Sequence, residues 1–422
     1  VKLSKTYLVL LAAMAMSIVL AACSDKTTGG NNTETDEKNE KTAQGVTDEE
    51  ILIGHLGPQT GPTAIYDLVR KGIETHFEYV NENGGVNGRK LKLIAYDDQY
   101  QPAKTVQLAK KLVDEDKVFA VLGNICTPCN TAAKDYYVQK GVPMVLVNSG
   151  AKEFVDPPID SYMGSAVFNY QAEAKIFLDY AVTKLGAKKI ALAYQNDDFG
   201  KEFFESAKEA IGNYPDAEIV TEVTFLATDT DFSSQAKKLE NANPDAVLNF
   251  ATPNPAANLK KAMHKIGLDQ PDYIVSTVGA NDTNLFELAG KEVWEGTYSG
   301  GIFPMPETST NDEDVKLFVE RFSKNYPNDP ATSFSENGWA VAQVLVEAIK
   351  RTEGDLTWEN FLNAFYTFDN WDGSLYAGVT FSEDNHYGLT SMFMTEAKDG
   401  KIVPITEPIT IDPSSGEIKY NE

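Results

Sequence analysis

The sequence predicts an α/β fold of two doubly wound parallel-sheet lobes, on three observations. From Ile51 onward, short apolar runs rich in branched residues alternate with amphipathic stretches, the signature of βαβ units feeding a parallel sheet. The rhythm breaks at Asp156-Pro157-Pro158 and then resumes, so one βα series ends and a similar one begins near Phe168 to Gln171. A length of 422 residues with 42% hydrophobic content supports two or three domains with a sizeable core.

Taken in order, the first segment is not part of the fold. Lys2 and Lys5 precede an uncharged apolar stretch, Tyr7 to Leu20, that is too short to span a bilayer at ~20 residues and reads as an export signal over residues 1–22. It ends at Leu20-Ala21-Ala22-Cys23, which resembles the lipobox of bacterial lipoproteins and implies lipidation of Cys23 and a membrane-anchored, extracytoplasmic mature chain. Residues 23–48, polar and Gly/Asn-containing for most of their length, are expected to be a flexible tether, because they bury too little to offset their ordering entropy. Strands are expected at Ile51 to Gly54, Leu91 to Tyr96, Val118 to Gly123 and Val142 to Val147 in the first lobe. Those of the second are Lys189 to Tyr194, Ile219 to Phe225, Ala246 to Ala251 and Tyr273 to Val278. Helices are expected after Pro102, where Leu108 and Leu112 share a face, and over Tyr170 to Gly186. Phe303-Pro304-Met305-Pro306 to Asp314 reads as a crossover between lobes. In Trp358 to Trp371, Phe361, Ala364, Phe365 and Phe368 recur at helical spacing, which favours core packing over a sugar platform.

Charge and motif content narrow the function. A formal net charge of −25, from 37 Lys+Arg against 62 Asp+Glu, repels phosphate backbones and leaves no sequence-independent drive toward nucleic acid. No H-E-x-x-H, G-x-S-x-G, Walker A or G-x-G-x-x-G is present, so catalysis lacks its usual anchors and the chain is not expected to be an enzyme. The four histidines, His55, His76, His264 and His386, are scattered singly, and three cysteines cannot build a disulfide framework or a large metal cluster. Asp97-Asp98 and Asp197-Asp198 follow strands, where turn and cap roles outweigh a metal site without a third ligand. Cys126-Thr127-Pro128-Cys129 lies between a strand and a helix; a structural disulfide, buried free thiols and thiol oxidoreductase chemistry all stay open. In open parallel sheets ligands sit beyond the carboxyl ends of the strands, so function is expected in a cleft fed by the loops of both lobes.

One run of residues carries a family resemblance. Ile53-Gly54-His55-Leu56-Gly57-Pro58-Gln59-Thr60-Gly61-Pro62, Tyr66, Gly72 and Asn83-Gly84-Gly85-Val86-Asn87-Gly88-Arg89 resemble the opening of the branched-chain amino-acid-binding proteins of ABC importers. Asp198-Phe199-Gly200, Asn243-Pro244-Asp245, Ile266-Gly267-Leu268 and Glu295-Gly296 extend the likeness over about residues 49–405. The resemblance implies a type I periplasmic binding protein: two lobes, a three-strand hinge and closure around a small solute. The approximate lobes are 49–168 plus 299–378 and 169–298 plus 379–422.

It also implies a site. Tyr66 matches an aromatic of the first-lobe wall, Thr127 the hydroxyl residue that receives a ligand carboxylate, Asn148, Ser149 and Gly150 a second contact loop, and Phe199 an aromatic of the second lobe. Two positions depart from the pattern. Gly150 stands where a hydroxyl is usual, and near Val278-Gly279 the carboxylate that receives a ligand ammonium is missing, with Asn281 and Asp282 close by. A buried ammonium without a carboxylate costs several kcal/mol, so an acid or amide with an apolar body fits as well as an amino acid. The implied partners are the small solute, an ABC permease with its ATPase, and the membrane through Cys23; no cofactor is expected, and the protein is expected to be a monomer. A ligand sensor that passes closure to a membrane receptor is the alternative use of the same fold.

Overall fold

The computed structural model describes residues 43–376, 378–411 and 417–421; Cys23, the export signal and the first part of the tether lie outside these. The first lobe is a five-stranded parallel sheet made of β1 (Glu50–Gly57), β2 (Lys90–Asp97), β3 (Ala120–Leu122), β4 (Met144–Val147) and β5 (Tyr162–Ser165), in the order β2-β1-β3-β4-β5. Helices α1 (Asp67–Glu82), α2 (Pro102–Lys110) and α3 (Thr127–Lys140) connect its strands. Burial on both faces explains the continuous apolar runs: Ala120, Val121, Leu122, Met144, Val145, Leu146 and Val147 are all fully buried.

After β5 the chain crosses to α4 (Tyr170–Asp179), capped by the Asn169 side chain and continued as one wider turn over Tyr180–Lys184. The second sheet follows. It contains β6 (Lys189–Gln195), β7 (Glu218–Phe225), β8 (Ala246–Phe250), β9 (Asp272–Val275) and β10 (Thr297–Gly301), parallel in the order β7-β6-β8-β9-β10. Its helices are α5 (Asp198–Ala210), α6 (Ser233–Ala242), α7 (Pro253–Lys265) and the short α8 (Thr277–Ala280), α9 (Asn284–Ala289) and α10 (Lys291–Trp294).

The segment from Ile302 to Asp312 carries the chain back to α11 (Glu313–Asn325) and α12 (Ser333–Arg351), which pack on α1, and to α13 (Trp358–Phe365). Phe361, Phe365 and Phe368 are buried, as core packing requires. The hairpin β11 (Thr380–Ser382) and β12 (Asn385–Gly388) lies against β5, so the first lobe extends through Gly388, beyond the expected boundary at 378. Then β13 (Ser391–Lys398) adds antiparallel to β10, with β14 (Lys401–Pro404), β15 (Ile409–Ile411) and β16 (Ile418–Tyr420) beyond it.

Three other expectations change. Residues 44–46, expected within the tether, are packed on the first lobe: the Gln44 amide donates to the Val118 carbonyl at 3.0 Å, Val46 is buried, and Gly45 lies with φ +77° against the backbone of 117–119. The last predicted strand of the second lobe stops at Val275, because Ser276 turns to donate its hydroxyl to the Ala251 carbonyl at 3.0 Å and α8 begins. Four-residue β5 and five-residue β10 have no predicted counterpart. Among the described residues, no helix is long and apolar enough to cross a membrane.

Candidate functional site

Both sheets reverse their strand order, the first between β1 and β3 and the second between β6 and β8. The loops leaving those strands diverge there and open a crevice, and here the two crevices face one cavity of about 620 Å³ that includes its open mouth. Its lining comes almost wholly from carboxyl ends of strands: Tyr66 after β1, Tyr100 after β2, Cys126 and Thr127 after β3, and Asn148 after β4. The second lobe contributes Phe199 after β6, Thr252 after β8, Val278 and Asn281 after β9, and Phe303 after β10. The first turn of α12 adds Ser333, Phe334 and Asn337.

Contacts across the cavity bind the lobes. The Tyr66 hydroxyl donates to the Val278 carbonyl at 2.8 Å, the Asn254 amide to the Pro62 carbonyl, and the Lys152 backbone N–H to the Glu202 carboxylate at 2.9 Å. At the floor, Cys126 and Cys129 form a disulfide with both residues buried, and Cys126 sits at φ +89° as N-cap of α3. The Thr127 and Ser149 hydroxyls lie 2.8 Å apart. The Asn148 amide donates to Asn337 Oδ1 at 2.7 Å, and Asn337 in turn donates to the Ala166 carbonyl at 2.8 Å and the Tyr376 hydroxyl at 3.0 Å.

Of the residues expected at the site, Tyr66, Thr127, Asn148, Phe199 and Asn281 line the cavity together. Ser149 stands behind Thr127. Gly150 and Asp282 are not in the lining. A side-chain carbon at Gly150 would come within 2.0 Å of the Phe168 carbonyl and 2.7 Å of the Tyr170 ring, so that ring fills the space where a hydroxyl residue was looked for. Asp282 turns away, accepting from the backbone N–H of Asn284 at 2.9 Å and of Phe334 at 3.1 Å, at the start of α12. Burial holds its carboxyl above the usual range.

Sequence reasoning missed Tyr100, Tyr170 and the α12 residues. Tyr100 had a signal: it follows Asp97-Asp98 in a turn where Gln99 and Tyr100 both take positive φ, and Asp98 accepts the Tyr100 N–H at 3.0 Å. The aspartate pairs serve turns and caps: Asp97 accepts from Gln59, Thr60 and Gln99, and Asp197 caps α5 at Gly200. Among the described residues no cluster could hold a metal ion. Among the described residues no histidine lines the cavity. His55 is buried with Nδ1 2.9 Å from the Leu122 carbonyl, and desolvation lowers its pKa to about 4.

Comparison with known proteins supplies the family. The family model described as periplasmic binding protein matches residues 50–401. The Leu/Ile/Val-binding protein homolog 3 of Brucella melitensis is 25% identical over 361 residues, covering 84% of this chain and 93% of that protein. Among solved structures, a fatty acid ABC transporter substrate-binding protein from Thermomonospora curvata superposes with TM-score 0.80 at 22% identity, covering 88% of this chain and 95% of that one. A branched-chain amino acid ABC transporter protein from Thermus thermophilus with bound valine gives 0.77 at 24%, covering 86% and 97%. With a parallel sheet in each lobe, a cavity where both sheets reverse order and a family match over most of its length, the chain belongs to the type I periplasmic binding proteins, in the branch whose relatives are named for leucine, isoleucine and valine binding.

Proposed function

We propose that this protein is the extracytoplasmic solute-binding component of an ABC importer, held to the membrane by lipid on Cys23, which traps a small solute and passes it chemically unaltered to a permease. The observation that carries the reading is a cavity walled by strand-end loops of both sheets and latched by Tyr66 to Val278 across it. A solute seated there gains contacts from both lobes only when they are closed, so it shifts the population toward the closed form by its differential affinity. The permease then reads that form. A named relative binds leucine, isoleucine, valine, threonine and alanine, which supports a solute of amino-acid size with an apolar body. Micromolar affinity corresponds to about −8 kcal/mol, within reach of a few hydrogen bonds and one buried apolar group.

The test is a thermal-shift screen of the protein without its first 22 residues against amino acids, short acids, amides and aromatic acids. A solute at a hundredfold excess over its dissociation constant should add about 2.7 kcal/mol of stability. X-ray scattering should show contraction with the same compound. Conversion of any hit to a new product, or no hit at all, refutes the proposal. Anchoring is tested separately by Cys23→Ser, which should release the protein from membranes.

A further inference from the structure

The chemistry of the cavity wall, taken with the proposed solute-binding role on which this step rests, points to a class of ligand. Among the described residues, six aromatic rings line it: Tyr66, Tyr100, Tyr170, Phe199, Phe303 and Phe334. The other lining side chains are aliphatic, hydroxyl or amide groups and the Cys126 sulfur, and among the described residues none is Asp, Glu, Lys, Arg or His. A primary ammonium placed here would lose its water and meet no formal negative charge.

Carboxylates do lie one layer behind, and most are engaged by the protein. Glu173 accepts the Thr277 backbone N–H at 2.7 Å, Asp197 accepts the Gly200 N–H at 3.2 Å and a Gln195 amide hydrogen, and Asp282 holds the start of α12. Glu336 is fully buried with neither oxygen hydrogen-bonded, and it does not reach the lining. Burial favours the neutral form of all four. Meanwhile the Thr127 hydroxyl at the first turn of α3, backed by the Ser149 hydroxyl after β4, and the Asn148 and Asn281 amides offer neutral donors and acceptors. We infer that the cavity selects a small acid or amide with an apolar body and no ammonium group, and discriminates against the amino acid of the same skeleton.

Matched pairs test this directly. Calorimetry on the purified, dialysed protein compares L-leucine with 4-methylpentanoate and 4-methylpentanamide, and L-phenylalanine with 3-phenylpropionate. The compound lacking the ammonium should bind at least tenfold more tightly in each set, the amide arm separating acid from amide recognition. Val278→Glu, which places a carboxylate in the wall, should narrow or reverse the preference against leucine. Leucine or phenylalanine binding as tightly as its partner in wild type overturns the inference, as does tighter binding of choline or glycine betaine by the aromatic wall, or binding of none of the five compounds. In each of those cases a hit elsewhere in the wider screen leaves solute binding standing; only silence across the whole screen removes both.

Discussion

Helices α1 and α12 cross with their backbones in contact, and the contact is made by two glycines. A side-chain carbon built on Gly338 falls 1.9 Å from the Val69 carbonyl oxygen, and one on Gly72 falls 2.0 Å from the Ser335 carbonyl oxygen; real ones essentially never come closer than 3.0 Å. Gly338→Ala therefore forces the helices apart by about 1 Å, against backbone that cannot rotate away as a side chain could. Alanine in a helix interior gains about 1 kcal/mol over glycine. Overpacking of a tight interior costs about 1–3 kcal/mol and occasionally more, and a clash with a carbonyl sits at the upper end, so a net loss of about 2 kcal/mol is expected. Urea unfolding of the protein from residue 43 onward measures it as a lower midpoint. Gly212→Ala is the control, because nothing lies within 4 Å of the added carbon; reduced freedom of the unfolded chain should make it neutral to ~1 kcal/mol more stable. A Gly338→Ala midpoint equal to or above wild type would refute the close-packed crossing. The consequence reaches the site, since the first turn of α12 carries Ser333, Phe334 and Asn337 to the cavity while α1 carries Val69.

Tyr66→Phe removes the cross-lobe bond to Val278 and leaves a partly buried carbonyl unpaired in the closed form, which costs about 1 kcal/mol; stopped-flow should show solute leaving roughly fivefold faster. Gly150→Ser collides with the Phe168 carbonyl and the Tyr170 ring and should lower the unfolding free energy by about 1–3 kcal/mol, read as a lower midpoint, rather than restore a binding hydroxyl. Burial raises the Glu173 carboxyl to about 8, so between its ordinary 4.5 and 8 the native state keeps a proton that the unfolded chain releases, and stability falls as pH rises. Glu173→Gln should flatten that basic limb in urea titrations at several pH values. The acid limb has the opposite origin: His55 and His76, lowered by burial to about 4 and about 3, stay neutral while the unfolded chain takes up protons below 6.5, so stability falls as pH drops, and Glu173→Gln should leave this limb in place.

The parts of the fold legible in the sequence are those where burial writes a continuous apolar run. Lys189–Gln195 and Ala246–Phe250 were found almost to the residue because both faces of the sheet are covered. Tyr162–Ser165 escaped because it is four residues long, follows two prolines and contains Gly164 at φ +88°, all signals for a turn. The end of the Tyr273 strand was overrun because Val278 continues the branched pattern, while the actual stop is tertiary: Gly279 must approach the Ala251 carbonyl, a contact with no trace in local spacing. The site divides in the same way. Positions just after predicted strands, such as Thr127, Asn148 and Phe199, could be named, whereas Phe334 and Asn337 reach the cavity from a helix of another chain segment that only the α1 crossing brings there.

That division explains the altered wall. Tyr170 opens α4 immediately after the first lobe crossing, and its backbone N–H donates to the Gly150 carbonyl at 3.1 Å while its ring covers Gly150 and its hydroxyl lies beside Thr127 and Ser149. Where Gly150 leaves no side chain, a hydroxyl is thus supplied by Tyr170 at the crossing between the lobes. Stacking against Phe203, with ring centres 4.5 Å apart, and edge contact with Phe199 at 5.3 Å fix that ring in the second lobe's core. The hydroxyl end of the cavity thus draws on both lobes, Thr127 and Ser149 from the first and Tyr170 from the second, while Tyr66, Val69 and Phe334 form a wall that belongs wholly to the first. Under the proposed solute-binding role, a group held by Thr127 meets Tyr170 and Phe199 only when the lobes close, so part of the differential binding that drives closure falls on the solute's polar end.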